Sequence, residues 1–280
     1  MRMWMAFVLA GLMGFSCERR SFLDQRAANP TVLTVHGPAP QRFENEAPPS
    51  GVQETHYLSG TLSLRAWYAV PANASAAKKV PALVYFHGGY AFGGDDFEAG
   101  RAFLEAGFAV LMPTLRGENG NPGEHELFWG ELDDARAAIS WLQAQPEIDG
   151  ELVFVFGHSA GGVISGLVSL CETPRVRLSG SAGGTYDERL FTAMEAVPFD
   201  VRVKKECELR LFAPNAGLIR QRHVAYVGAE DVLATLGAAT AKDRSTGSLL
   251  LVKQLPGNHF TSLTPALADF LDRTQRMARK

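Results

Sequence analysis

The sequence predicts an α/β domain built on an eight-stranded, mostly parallel sheet with helices on both faces. Three observations carry this. Short apolar runs recur without in–out alternation, helix-compatible stretches separate them, and a glycine-rich pentapeptide stands where one run gives way to a helix. A chain of 280 residues is long enough to bury the core of one such domain.

The elements follow in order. A leading antiparallel hairpin is expected at 53–59 and 62–70, because Ser59-Gly60 supplies the turn between them. Residues 82–86 form an apolar run ended by glycines, and 108–112 form another, stopped by Pro113. Between those two, residues 96–106 place Phe97, Ala99, Phe103 and Leu104 at helical spacing. A second helix is expected at 135–142, with Glu131, Asp133 and Asp134 favourable near its start. Residues 152–156 make a fifth strand, and further strands are expected at 176–181, 222–227 and 249–254 before a last helix at 265–279. The irregular stretch 183–215 falls between the sixth and seventh strands and is short enough for only a small lid.

The first 50 residues differ in kind. Arg2 precedes an apolar run from Met3 to Phe15, too short to cross a bilayer but suited to the core of an export signal. Gly14-Phe15-Ser16-Cys17 resembles a bacterial lipobox, in which the cysteine is lipidated, although Gly14 stands where leucine is usual. The expectation is therefore a leader over 1–17, lipidation at Cys17 and an exported protein held on the cell envelope. Processing there leaves Cys171 and Cys207, whose proximity the sequence does not establish. Residues 18–50, polar and proline-rich without periodicity, read as a flexible tether ahead of a domain spanning 51–280. Lys plus Arg is 27 against 30 for Asp plus Glu, a net charge of −3, which argues against a nucleic-acid groove or a polybasic membrane patch.

Chemistry enters at Gly157-His158-Ser159-Ala160-Gly161. A G-x-S-x-G sequence between a buried strand and a helix is a nucleophile elbow, whose tight turn demands small neighbours. A serine hydroxyl needs an adjacent base, and the base needs a carboxylate to fix its tautomer. After a nucleophile elbow the chain order is serine, then acid, then histidine, and only His223 and His259 lie downstream of Ser159. His223 sits inside an expected strand, ahead of any acid at its end. His259, in the loop after the last strand, is the predicted base. The acid belongs after the seventh strand, where Gly228-Ala229-Glu230-Asp231 offers Asp231, with Glu230 as the alternative. The oxyanion donors are assigned to the Ala160 N–H and to that of Gly89 or Tyr90, in the loop His87-Gly88-Gly89-Tyr90. Arg116 is assigned mainly to a structural ion pair with Glu131 or Asp134, and His158 to packing beside the nucleophile. No metal or organic cofactor is expected.

His87-Gly88-Gly89, Arg116-Gly117, the elbow, Gly228 to Asp231 and Gly257-Asn258-His259-Phe260 together resemble the catalytic domain of prolyl oligopeptidase-like (S9-type) serine hydrolases. The chain is also similar to the dienelactone hydrolases. The resemblance covers about residues 52–275 and implies the α/β-hydrolase fold, with hydrolysis of an ester or short peptide substrate through an acyl-serine. Two departures limit it. No room remains for the large propeller of full prolyl oligopeptidases, and dienelactone hydrolases generally carry cysteine where Ser159 stands. The alternative reading is a non-catalytic binding protein on a hydrolase scaffold.

Overall fold

The computed structural model describes residues 20–192, 194 and 197–279. Among these, one sheet of eight strands contains β1 (Gln53–Ser59), β2 (Leu62–Ala69), β3 (Val80–Phe86), β4 (Ala109–Pro113), β5 (Ile148–His158), β6 (Leu178–Ala182), β7 (His223–Gly228) and β8 (Leu250–Leu255). Their spatial order is β1-β2-β4-β3-β5-β6-β7-β8. β2 pairs antiparallel with β1 and β4; every other pairing is parallel. The expected antiparallel start and parallel body are both present.

Side-chain alternation divides the core between two faces. Ala82, Val84 and Phe86 of β3, with Val153 and Val155 of β5, face one layer; Leu83, Tyr85, Phe154 and Phe156 face the other. Both sets are buried, which is why these strands read as unbroken apolar runs. The first layer is closed by α3 (Gly130–Gln143), α4 (Ala160–Val168) and α8 (Val232–Arg244). The second is closed by α2 (Gly94–Glu105) and α9 (Leu263–Ala278). Gly180 lets α9 approach, since a Cβ there would come 2.6 Å from the Phe270 ring. Among its described residues, the stretch between β6 and β7 holds the short helices α5 (Arg189–Thr192), α6 (Lys204–Glu208) and α7 (Phe212–Asn215), followed by a 3-10 turn at Ala216–Leu218.

One expectation is corrected. Residues 20–50 do not hang free as a tether. Helix α1 (Phe22–Ala28) starts at a capping box between Ser21 and Asp24 and buries Phe22 and Arg26 against the domain. Beyond it, the Ala39 N–H donates to the Gly117 carbonyl at 2.9 Å, and the Gly37 carbonyl accepts from the His125 N–H at 2.8 Å. The Glu46 carboxylate accepts from the Gly94 N–H at 2.8 Å. This arm docks through isolated anchors and backbone hydrogen bonds, so no apolar stripe marks it in the sequence. Residues 1–19, with the leader and Cys17, lie outside the described residues. Among the described residues no helix is long and apolar enough to cross a membrane. Cys171 and Cys207 are not bridged; the first is buried and the second half-buried.

Candidate active site

Strand β5 delivers Ser159 at the carboxyl edge of the sheet. Its φ of 53° and ψ of −114° place a non-glycine residue in positive-φ space. Such a conformation costs on the order of 1–3 kcal/mol and persists only when its surroundings fix it. Here the Ser159 N–H donates to the Ala182 carbonyl at 2.9 Å, and the Gly161 N–H donates to the His87 carbonyl at 3.1 Å. A Cβ on Gly157 would overlap the Gly161 carbonyl, and one on Gly161 would overlap the Phe86 carbonyl. Only glycine fits both positions, which leaves the Ser159 side chain free above the turn.

The three predicted side chains converge. His259 Nε2 lies 2.9 Å from Ser159 Oγ, and His259 Nδ1 lies 2.7 Å from Asp231 Oδ2. Asp231 follows β7 and is also the N-cap of α8, where its other oxygen accepts from the Ala234 N–H at 3.1 Å. Burial raises its pKa, but the hydrogen bonds from His259 and Ala234 outweigh that effect and hold it below the ordinary carboxylate value. An ionised Asp231 only accepts, so Nδ1 carries the hydrogen and the Nε2 lone pair faces the serine hydroxyl. Glu230, the alternative acid, points to solvent while its N–H donates to the Gly257 carbonyl at 3.0 Å.

The loop holding His259 is shaped by Asn258, whose Oδ1 accepts from the N–H groups of Phe260 and Thr261, each at 3.0 Å. His158 steadies the same loop from the elbow. Its Nε2–H donates to the His259 carbonyl at 3.1 Å, and the two rings lie 5.1 Å apart. Burial lowers the His158 pKa although this hydrogen bond opposes it, so the ring is favoured neutral, with its hydrogen on Nε2. Gly183, at φ 65°, leaves room for the imidazole, since a Cβ there would stand 2.9 Å from His259 Cε1.

The two candidate oxyanion donors in the glycine loop are distinguished by their partners. The Tyr90 N–H is occupied by Gln41 Oε1 at 2.8 Å, a contact from the N-terminal arm. Gly89, at φ 68°, and Ala160 both line the pocket beside Ser159, and among the described residues neither N–H has a protein acceptor. The geometry thus favours Gly89 with Ala160. At the root of this loop His87 Nε2 meets Glu118 Oε2 at 3.2 Å in a buried pair. Burial works against the charged imidazole, but Glu118 overrides it and lifts the His87 pKa to about 9.

The pocket at Ser159 has a volume of about 130 Å³, with Phe128, Val163, Leu190 and Thr185 among its walls. Leu190 and Thr185 come from the short lid. Phe260, 74% exposed, packs edge-on against the His259 ring at 5.1 Å. Among the described residues no group of three His, Cys, Asp or Glu side chains is arranged to hold a metal ion.

Other residues weighed in the sequence fall away from the chemistry. Arg116 binds Asp134 at 2.8 Å and Glu126 at 2.5 Å, and so orders the loop after β4. Asp134 is one of its two expected partners; Glu131 instead accepts the N–H groups of Glu126, at 2.7 Å, and Leu127, at 3.1 Å. His223 is buried inside β7. Gln41, Glu118 and the carbonyl contact of His158 were not found by sequence reasoning, because their partners lie far along the chain.

Comparisons with known proteins agree with this architecture. The family described as X-Pro dipeptidyl-peptidase (S15 family) matches residues 52–189, a stretch that includes Ser159 and the glycine loop but not Asp231 or His259. The chain is 29% identical over 141 residues to the uncharacterized peptidase YtmA of Bacillus subtilis, covering 48% of this chain and 53% of that protein. It thus spans about half the length of that relative. Among solved structures, a Pyrococcus furiosus esterase, Pf2001, superposes with a TM-score of 0.66 at 14% identity, covering 84% of this chain and 96% of the esterase. An acylaminoacyl peptidase from Pyrococcus horikoshii superposes with a TM-score of 0.60 at 17% identity, covering 81% of this chain but 41% of the peptidase. Strand order, elbow and these likenesses concur on the architecture: the chain has the α/β-hydrolase fold.

Proposed function

We propose that this chain is a serine hydrolase that cleaves an ester or amide through an acyl-serine intermediate. One observation carries the reading: a continuous path from Asp231 through His259 to Ser159, with hydrogen-bond lengths of 2.7 and 2.9 Å. Ser159 Oγ attacks the substrate carbonyl carbon while its proton passes to His259 Nε2. Asp231 holds the resulting imidazolium. The N–H groups of Gly89 and Ala160 receive the developing oxyanion, each such donor contributing roughly 2.7–4 kcal/mol to the transition state. His259 then gives its proton to the leaving group. A water deprotonated by the same imidazole attacks the acyl-serine, releasing the acid and restoring Ser159.

A pocket of about 130 Å³ with mainly apolar walls supports a short apolar acyl group. An esterase that aligns over nearly its whole length supports esters as the first class to try. Export, and lipidation at Cys17 that would anchor the chain to a membrane, rest on the leader sequence alone and form a second part of the proposal. Purified wild type should hydrolyse p-nitrophenyl acetate or butyrate, and His259→Ala should lose that turnover while keeping its fold. Unchanged turnover in His259→Ala would remove the assignment. A protein that binds these esters without turning them over would favour the binding-scaffold alternative.

A further inference from the structure

The loop from His125 to Gly130 walls the Ser159 pocket through Phe128, and its backbone is unusual. Leu127 at φ 49° and Phe128 at φ 68° are consecutive non-glycine residues in left-handed space. Neither residue would hold that conformation alone, so the turn must be clamped from outside. Three clamps are visible. Glu131 takes its N–H groups, Arg210 Nε donates to the Glu126 carbonyl at 3.0 Å, and Arg26 takes the carbonyls that follow.

Arg26 belongs to α1 in the N-terminal arm, about a hundred residues away in sequence. Its guanidinium is buried and lies 4.2 Å from the Trp129 ring. It donates to the carbonyls of Phe128 at 3.3 Å, Trp129 at 2.5 Å and Leu209 at 3.0 Å. A planar fork reaching three carbonyls is something a lysine ammonium on the same stem reproduces poorly. The Leu209 contact also joins the loop to the segment that leads from the lid into β7.

We propose that Arg26 is a positioning residue for the acyl pocket, acting through the Leu127–Phe128 turn. The N-terminal arm is then a working part of the active site. The same arm reaches the oxyanion loop through Gln41 on the Tyr90 N–H, so its two ends support two different components. This inference rests on the serine-hydrolase reading above, and the test is chosen so that the two can fail separately.

The experiment measures kcat and KM for p-nitrophenyl acetate, butyrate and octanoate in wild type, Arg26→Lys, Phe128→Ala and the double variant, with melting temperatures recorded. Arg26→Lys should raise KM for butyrate about three- to tenfold, leave kcat within about twofold and flatten the preference for short chains. Phe128→Ala should do the same, and the double variant should be no worse than the more affected single, because both changes act on one wall. An unchanged chain-length profile in Arg26→Lys, or effects that multiply in the double variant, would overturn the proposal. Should Arg26→Lys fail to fold, Arg26→Gln keeps an amide donor towards the same carbonyls without the three-way fork and must flatten the profile; an unaltered profile overturns the proposal equally. If wild type neither turns over these esters nor reacts with a fluorophosphonate probe, the failure belongs to the hydrolase reading. If it does both, a negative result belongs to Arg26.

Discussion

His259 and His223 both lie downstream of Ser159, and their surroundings make them opposites. His259 stands at the carboxyl edge of the sheet, 30% exposed, with a carboxylate on one nitrogen and a serine hydroxyl on the other. His223 is sealed within β7. Its Nδ1 meets the Ser179 hydroxyl at 2.8 Å, and its Nε2 meets the hydroxyls of Ser181 and Tyr186, each at 3.0 Å. Among the described residues no carboxylate bonds to it, and burial pushes its pKa down to about 3. Hydrogen-bonding capacity alone does not make an imidazole a base. It needs an anion to stabilise its charged form and an open side from which substrate can approach.

The Asp231 carboxylate is what sets His259 apart, and its removal should have the largest effect. Asp231→Asn should lower kcat by roughly four orders of magnitude, because the amide no longer selects the tautomer that leaves Nε2 free. The cap on α8 should survive this change, since asparagine caps about as well as aspartate. A variant retaining more than a tenth of wild-type kcat would mean that His259 works without its anion, and the contrast with His223 would lose its basis.

His223→Leu sharpens the other side. It removes the partner of three buried hydroxyls, so the fold should lose about 1–3 kcal/mol while kcat stays near wild type. The pH dependence has a definite sign. In the unfolded chain this imidazole takes up a proton near its ordinary value of 6.5, whereas in the fold it resists protonation until about 3. Stability from this residue is therefore intact above pH 6.5 and declines as the pH falls from there towards 3, by at most about 1.4 kcal/mol per pH unit. His223→Leu should lose that part of the slope in urea midpoints measured across the same range. An unchanged slope would show that His223 is charged or exposed in the fold.

Much of this was legible in the sequence because local rules dictated it. The elbow, the loop after β8 and the acid three residues past Gly228 each sit at a strand end, where chain order and small residues announce the position. Strands β3 and β5 were readable as continuous apolar runs because both faces are covered. Helix α8 was missed: Val232-Leu233-Ala234-Thr235-Leu236-Gly237 is rich in small residues, and Val232, Leu233 and Leu236 stay at least partly in solvent, so apolar and polar positions do not separate by face. The N-terminal arm was misread for a related reason. Its order comes from a buried arginine, one phenylalanine and backbone contacts with residues far along the chain, and no periodicity records such contacts. The choice between Gly89 and Tyr90 was likewise invisible, because it is decided by Gln41, almost fifty positions away.

Reaction of the purified protein with a fluorophosphonate, read by intact mass and peptide mapping, tests the central claim most directly. One adduct should form on Ser159, and Ser159→Ala should show none under the same conditions while melting like wild type. An adduct mapped elsewhere, or undiminished labelling of Ser159→Ala, would contradict the account.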